Sequence, residues 1–274
     1  MTEKEQKIQK SKEISFVCMD PDMVPHVNEV LHGEYEPFAT INFEENATIM
    51  DIGACYGSFT YWGALIKKWK TKYVCIEPNP DVFHVLKRNM ETLKGEGIEV
   101  EIINKAVIGE GRSEEKISLW KGKYNVGETT TDINVLKQIY TTEEITKLEP
   151  KEVETINVKN LPFCTLLKVD TEGCEVEIVK GFINKEKIPV IIMTEYHSMK
   201  NRDELYDLLS KKYTKIAERG KLDRGILIYV RKEETKEETK EETKEETKEE
   251  TKEETKEETK EETKEETKEE TKEE

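Results

Sequence analysis

The sequence lacks the features that mark several common classes of protein. Its cysteines are few, odd in number and without a C-x-x-C pair: Cys18, Cys55, Cys75, Cys164 and Cys174. This pattern argues against a disulfide framework and against a zinc site. No apolar run approaches the roughly 20 residues that span a bilayer, and the charged N-terminus has no apolar core of a signal peptide. We therefore expect a soluble cytoplasmic protein that holds no metal and does not bind membranes.

Excess positive charge is also absent. The formal net charge is −16 over 274 residues, of which residues 232–274 supply −11 and the rest of the chain −5. A body this mildly acidic has no surplus of the Lys and Arg that neutralise phosphates, so nucleic acid is a poor candidate partner. A small or neutral substrate fits better.

Apolar residues are missing from residues 232–274, which repeat "KEET" and close on "KEE". With nothing to bury, this segment cannot offset the entropy of ordering, so we expect a solvated tail that does not pack on the body. We divide the chain into an N-terminal segment over 1–46 that is a candidate lid, a folded domain over 47–231, and a low-complexity tail over 232–274.

Short runs rich in Ile and Val alternate with segments of helical period in the body. Strands are predicted at 47–53, 72–77, 98–107, 116–120, 154–161, 164–170, 189–195, 213–218 and 225–231. Helices are predicted at 58–69, 81–93, 175–183 and 202–212, and a loop at 127–134. This alternation predicts a doubly wound, parallel α/β sheet. The last two strands lie too close together for a crossover helix, so they are expected to form an antiparallel hairpin at one edge.

The first predicted strand ends in "DIGACYG", which contains two glycines. Ligands of open parallel sheets bind beyond the carboxyl ends of the strands, and Gly53 and Gly57 would allow a ligand close to the backbone. Glu77 ends the second strand, where an acid can bind ribose hydroxyls. A structural glycine turn and a solvated strand end are the alternative interpretations.

Four sequence blocks resemble the FkbM family of methyltransferases. They are "DIGACYGSFT", "IEPNPDVFHVLKRN", "INKAVIGEG" and "LLKVDTEGCEVEIVKG", followed by "TEYH", and together they cover roughly residues 30 to 200. The resemblance implies a Rossmann-like class I methyltransferase that uses S-adenosyl-L-methionine. Such a fold has a doubly wound, mostly parallel sheet of seven strands with an antiparallel edge hairpin.

The resemblance also implies where the cofactor binds. The methionine part would lie against Asp51, Gly53, Ala54 and Gly57, the ribose against Glu77, and the adenine near Asn104 and Ala106. Two departures from the family pattern stand out. Cys55 occupies a position that is often Asn, and Val158 with Lys159 replaces a Leu-Asp pair.

Charged residues end the strand in "LLKVDTEGCE". Lys168 and Asp170 project to one face, and Glu172 follows at the same spacing. By resemblance they stand beside the transferred methyl group, which makes Asp170 the best-placed base. Further candidates are Lys168 and His197 for catalysis and Glu172 and Glu195 for acceptor binding. Alternatively, Asp170 or Thr171 caps the next helix while Lys168 pairs with a carboxylate, and His197 is a loop histidine.

Other histidines and aromatic residues fit structural roles. His84 is expected to pack or face solvent, His26 and His32 belong to the N-terminal segment, and Tyr61, Trp62 and Trp69 have the spacing of core residues. The leading hypothesis is O-methylation of a hydroxyl or carboxyl on a sugar, glycan or other polar metabolite. Two alternatives remain open: a non-catalytic cofactor-binding scaffold, and a protein or RNA methyltransferase. The oligomeric state is open as well.

Overall fold

The computed structural model describes residues 6–9, 15–35, 43–44, 46–123 and 125–233. The described elements belong to one unit, which ends at Arg231. Nearly all of the predicted tail and part of the N-terminal segment lie outside the described residues. Within the described part, no helix is long and apolar enough to cross a membrane.

Strands and helices alternate along most of the chain. The described strands are β1 (Gln6–Gln9), β2 (Ser15–Cys18), β3 (Thr48–Ile52), β4 (Lys72–Ile76), β5 (Val100–Ile103), β6 (Ala106–Ile108), β7 (Lys116–Lys121), β8 (Thr129–Thr130), β9 (Lys151–Asn157), β10 (Leu166–Val169), β11 (Ile191–Tyr196), β12 (Tyr213–Gly220) and β13 (Gly225–Arg231). The described α-helices are α1 (Val24–His32), α2 (Ser58–Tyr61), α3 (Pro80–Gly95), α4 (Ile133–Leu136), α5 (Thr142–Ile145), α6 (Glu175–Ile183) and α7 (Met199–Leu209).

The main sheet confirms the predicted fold class. Among the described residues it has seven strands in the order β12-β13-β11-β10-β3-β4-β5. Strands β11, β10, β3, β4 and β5 run parallel, and β13 pairs antiparallel with both β11 and β12. The last two strands therefore form the expected edge hairpin.

Apolar side chains cover both faces of this sheet. Residues of α1, α2 and α3 pack on one face around Ile49 and Cys75. Residues of α6 and α7 pack on the other face around Met50 and Leu167. Burial on both faces explains why the central strands read as apolar runs rather than as alternating ones. The expected core residues Tyr61, Trp62 and Trp69 are buried.

One predicted strand, 98–107, is two strands in the structure, so that prediction was wrong. The chain turns at Asn104, whose side-chain amide donates to the carbonyls of Glu77 (2.7 Å) and Pro78 (3.1 Å). β5 ends before this turn in the main sheet, whereas β6 follows it in a second sheet of order β6-β9-β7-β8.

Several further boundaries differ from the prediction. The predicted strand 154–161 is β9, which ends at Asn157 and is followed by a 3₁₀ turn, and the predicted helix 202–212 is α7, which begins and ends three residues earlier. The predicted helix 58–69 is a single α-turn followed by a π-helix, Trp62–Ile66, and the helical segment ends before Lys68, which has φ 57°. The predicted loop 127–134 contains the two-residue strand β8 and the first residues of α4. Local patterns do not separate an α-turn from a π-turn, because both bury the same apolar face.

Candidate active site

A cavity of about 750 Å³ opens at the carboxyl edge of the main sheet. The loops that follow β3, β4 and β10 line it on the sheet side, together with Glu195 near the end of β11. From the N-terminal segment it is lined by Met23, Val27, Glu34 and Tyr35. The topology places the cavity here because parallel strands expose their carboxyl ends on one side.

The turn after β3 brings the backbone close to β10. Gly53 has φ 74°, and a Cβ on it would overlap the carbonyl oxygen of Asp170. The N–H groups of Gly53 and Ala54 donate to Ile76 O at 2.9 and 3.1 Å. Gly57 is the N-cap residue of α2 with φ 82°, and a Cβ there would lie 2.8 Å from a side-chain carbon of Leu86. Both glycines are therefore required by packing of this turn.

Glu77 places a buried carboxylate at the end of β4. Its Oε2 accepts from the backbone N–H of Cys55 (2.9 Å), and its Oε1 accepts from that of Asn79 (2.8 Å). Burial raises the pKa of Glu77 to about 7, despite the lowering effect of these two hydrogen bonds. The contact of Cys55 uses its main chain, so the family departure at this position leaves the interaction in place.

Lys168 is surrounded by acceptors. Its Nζ lies 3.1 Å from Asp51 Oδ1, 3.4 Å from Asp170 Oδ2 and 3.0 Å from the carbonyl of Gly53. Burial lowers the pKa of Lys168, but the carboxylates, Asp51 foremost, outweigh it and raise the pKa above its usual value. The ammonium is thus a fixed cation that joins β3, β10 and the glycine turn.

His197 follows β11 and sits behind the cavity wall among carboxylates. Its Nδ1 lies 3.1 Å from Glu175 Oε1. Its Nε2 faces Glu172 Oε2 at 3.3 Å, Glu195 Oε2 at 3.5 Å and Asp170 Oδ1 at 4.0 Å. Burial lowers the pKa of His197, but Glu172 and Glu175 outweigh it and raise the pKa well above its usual value.

Glu175 organises the loop between β10 and α6. Its carboxylate accepts from the N–H groups of Thr171 and Gly173, both at 3.0 Å. The residue that caps α6 is Cys174, without a side-chain hydrogen bond. The alternative in which Asp170 or Thr171 caps this helix was therefore wrong.

The structure brings most of the predicted site residues to one cavity. Those that border it are Gly53, Ala54, Glu77, Ala106, Lys168, Asp170, Glu172 and Glu195. Four others lie behind it. Asp51 pairs with Lys168 and accepts from Thr60 (2.9 Å), and Gly57 packs on α3. Asn104 fixes the turn after β5, and His197 contacts the carboxylates from behind.

Sequence reasoning missed three charged residues of the site. Glu34 lines the cavity from the N-terminal segment, and its pKa is raised to about 7 by burial first and by Glu195 and Asp170 next. Arg224 approaches from the turn between β12 and β13, and its Nη2 lies 2.9 Å from Glu172 Oε2. Glu175 was visible in "KVDTEGCE" but carried no family assignment. The other family departure, Val158, packs against Gly181 of α6 in the core.

Comparison with known proteins gives one family match. A family model described as the methyltransferase FkbM domain matches residues 51–217. The matched range begins and ends later in the chain than the expected range of roughly 30–200. Methyltransferase 1 of Beauveria bassiana (strain ARSEF 2860) is 28% identical over 156 residues, 51% of this chain and 59% of that protein. The chain thus matches little more than half of this curated relative.

Two solved structures are similar at low identity. Methyltransferase FkbM from Methylobacillus flagellatus KT matches with TM-score 0.49 and 15% identity, covering 72% of this chain and 46% of that one. TYW2 of P. horikoshii, solved in complex with MeSAdo, matches with TM-score 0.44 and 12% identity, covering 85% and 73%. At these TM-scores neither structural match supports a conclusion about this chain.

Proposed function

The chain belongs to the FkbM methyltransferase family, and from that premise we propose that it transfers a methyl group from S-adenosyl-L-methionine to an oxygen of a polar metabolite, sugar or glycan. The observation that carries this proposal is the position of two sets of carboxylates on one cavity. Glu77 lies beside the glycine turn, and Asp170 with Glu195 lies at the neighbouring strand ends.

The residues present fit S-adenosyl-L-methionine. The cavity volume of about 750 Å³ lies in the range of roughly 300–1,000 Å³ usual for ligand clefts. Each oxygen of Glu77 accepts one backbone N–H, which leaves a lone pair on each for a ribose hydroxyl. Ala106 and Val107 offer an apolar edge for the adenine, and the turn at Gly53 would adjoin the methionine part. When bound, the cofactor supplies an electrophilic methyl group on a sulfonium.

Acidic residues on the cavity favour a hydroxyl acceptor over a carboxylate one. Asp170, Glu195 and Glu34 can each hydrogen-bond to hydroxyl groups, and the negative charge of Asp170 disfavours an anionic acceptor. Asp170, whose side chain is 28% exposed, is the carboxylate that we assign to orienting the acceptor, together with Glu195. A carboxylate in this position can also receive the hydroxyl proton during transfer.

Lys168 has a positioning role in this proposal. Its raised pKa keeps it a cation, so it is not a base. Its contacts with Asp170 and with the carbonyl of Gly53 fix the acceptor-binding carboxylate relative to the glycine turn. Such fixed geometry is the main contribution that a protein makes to an in-line displacement.

Methyl-labelled S-adenosyl-L-methionine tests the proposal. The chain should transfer label to a polyhydroxylated metabolite or glycan, and the product should resist mild alkali, as an ether does and a methyl ester does not. Alkali-labile label would show a carboxyl acceptor instead. Failure to bind the cofactor would contradict the enzyme proposal and support a scaffold.

A further inference from the structure

We propose that Asp170, Glu172 and His197 form a binding site for one divalent transition-metal cation at the inner wall of the cavity. One ligand atom from each of these residues falls within 4.8 Å of the others. In the reaction proposed above, and resting on it, the cation would hold the acceptor oxygen. The sequence predicted no metal, because its cysteine pattern is not that of a zinc site and these three ligands are separated along the chain.

The buried ring nitrogen of His197 is the observation that points to a cation. The side chain is 2% exposed, and Nε2 has no hydrogen-bond partner although three carboxylates face it. Their distances fit ion pairing, but none has the geometry of a hydrogen bond. A metal ion at this centre would take the place of the ring proton on Nε2, coordinate the nitrogen and neutralise the surrounding carboxylates.

Glu175 orients this nitrogen as a metal ligand. Its Oε1 lies 3.1 Å from His197 Nδ1, so a hydrogen on Nδ1 can be donated to it, and Nε2 presents its lone pair to a metal ion once its own proton has left. A carboxylate on the far nitrogen is the usual support of a metal-binding histidine. Asn201 donates to the other oxygen of Glu175 at 3.2 Å, which fixes the carboxylate in turn.

The spacing of the ligand atoms suits a small cation. With metal–ligand bonds of about 2.0–2.2 Å, neighbouring ligands of a tetrahedral site are about 3.4 Å apart. Nε2 lies 3.3 Å from Glu172 Oε2 and 4.0 Å from Asp170 Oδ1. Glu195 Oε2, at 3.5 Å from Nε2, is a candidate fourth ligand.

The ligand types indicate which cations bind. Imidazole favours first-row transition metals, whereas carboxylates also suit Mn²⁺ and Mg²⁺. One nitrogen with two or three carboxylates therefore favours Mn²⁺ or Zn²⁺ over Mg²⁺. Asp170 and Glu172 both border the cavity, so with three protein ligands bound the remaining position of the cation would face the acceptor.

Arg224 competes for one ligand of this site. Its guanidinium lies 2.9 Å from Glu172 Oε2, the same oxygen that faces His197. The Arg224 side chain is half exposed, so it can move away when a cation binds. Removing its charge should consequently strengthen cation binding.

Titration of the full chain with Mn²⁺, in the absence of S-adenosyl-L-methionine, tests the site. Binding is measured as loss of the free-ion signal in electron paramagnetic resonance. We expect one Mn²⁺ per chain, displaced by Zn²⁺ and not by equal Mg²⁺. Glu172→Gln and His197→Asn should each weaken binding at least tenfold, and Arg224→Gln should tighten it about threefold or more. The matched control His84→Asn, at an exposed histidine of α3, should change nothing.

The proposed site would be contradicted if neither Mn²⁺ nor Zn²⁺ binds, or if Glu172→Gln binds Mn²⁺ with the same affinity as the wild type. Equal or weaker binding by Arg224→Gln would contradict Glu172 as a ligand. Should His197→Asn fail to fold, Glu172→Gln decides alone, since its side chain lies at the cavity. Calorimetry of S-adenosyl-L-methionine binding in the presence of EDTA separates the two proposals. If the chain binds the cofactor but no metal ion, only the metal site is contradicted. If it binds the metal ion but not the cofactor, only the methyltransferase proposal is contradicted.

Discussion

Glu77 is the residue on which the cofactor assignment depends. Hydrogen bonds from two ribose hydroxyls to its carboxylate would be charge-assisted, each worth on the order of 1.5–3 kcal/mol. Glu77→Ala should therefore weaken binding of S-adenosyl-L-methionine at least tenfold in calorimetry. Glu91→Ala, at an exposed carboxylate of α3, is the control and should bind normally. Equal affinity in the Glu77 variant would remove the ribose assignment.

The titration of Glu77 gives a stability signature. Its pKa rises from 4.5 to about 7 on folding, because of burial, so the folded state holds this proton more tightly than the unfolded state does. Its contribution therefore favours folding at low pH and is lost as pH rises from about 4.5 to about 7. Relative to Glu77→Gln, which has no such proton, the wild-type free energy of unfolding should fall by about 3 kcal/mol across that window.

Urea unfolding of both proteins at several pH values measures this difference. Comparison with Glu77→Gln cancels the groups that titrate alike in the two chains. A difference that stays constant between pH 4.5 and 7 would show that Glu77 is not buried as an acid.

Asp170 should affect turnover far more than cofactor affinity. Asp170→Asn keeps the shape of the side chain but removes its charge, so turnover should fall by roughly 10²–10⁴, as for a lost general base. The matched control is Asp203→Asn on the exposed face of α7. Steady-state rates and calorimetry on the same samples separate the two effects. Full activity in Asp170→Asn would exclude this carboxylate from the reaction.

Sequence patterns predicted which residues border the cavity, but not the contacts that hold those residues in place. Gly53, Glu77 and Asp170 are the last residues of predicted strands, so their meeting at one edge follows from parallel topology. The part played by Lys168 as a cation between Asp51 and the carbonyl of Gly53 depends on register across two strands. Register is set by packing, which a single sequence does not display.

At the scale of elements, Asn89 joins the N-terminal segment to the folded domain. This buried side chain of α3 accepts from Val17 N–H (2.9 Å) and donates to the carbonyls of Val17 (2.9 Å) and Tyr56 (2.8 Å). Strand β2 pairs with β1, and Asn89 bonds to it in addition, as a second neighbouring strand would. Through this contact, α3 fixes the segment that carries Met23, Val27 and Glu34 to the cavity.

Asn89→Ala should loosen that segment. It leaves three buried backbone groups without partners, so we expect a loss of about 2–4 kcal/mol in stability and faster amide exchange over residues 15–35 than over β3 and β4. Lys87→Ala, on the exposed face of the same helix, is the control. Uniform destabilisation, with no excess exchange in residues 15–35, would contradict this role.

Element types were easier to predict than their ends. Helix α6 and strand β13 begin and end where the sequence predicts, because each has a clear period and polar boundaries. The break between β5 and β6 was not predicted, because Asn104 ends the strand through hydrogen bonds to Glu77 and Pro78, which are distant in the sequence. Such a tertiary hydrogen bond leaves no local signal.

At the scale of the whole molecule, the cavity is assembled from segments far apart in the chain. The N-terminal segment, the glycine turn, the β10–α6 loop and the β12–β13 turn all border it. Composition predicted neither Glu34 nor Arg224 at this site, because their placement depends on how these segments pack. The doubly wound order was predictable because crossover rules leave few arrangements for alternating strands and helices.

Amide hydrogen exchange of the full chain, with and without S-adenosyl-L-methionine, tests most directly whether this cavity holds the methyl donor. We predict slower exchange on cofactor addition in residues 53–59, 76–82 and 105–107, which surround the glycine turn, Glu77 and Ala106. Residues 213–217 of the outer strand β12, which do not border the cavity, should exchange at the same rate in both states. Glu77→Ala should lose the protection at equal cofactor concentration. Protection confined to other segments, or none at saturating cofactor, would contradict the account.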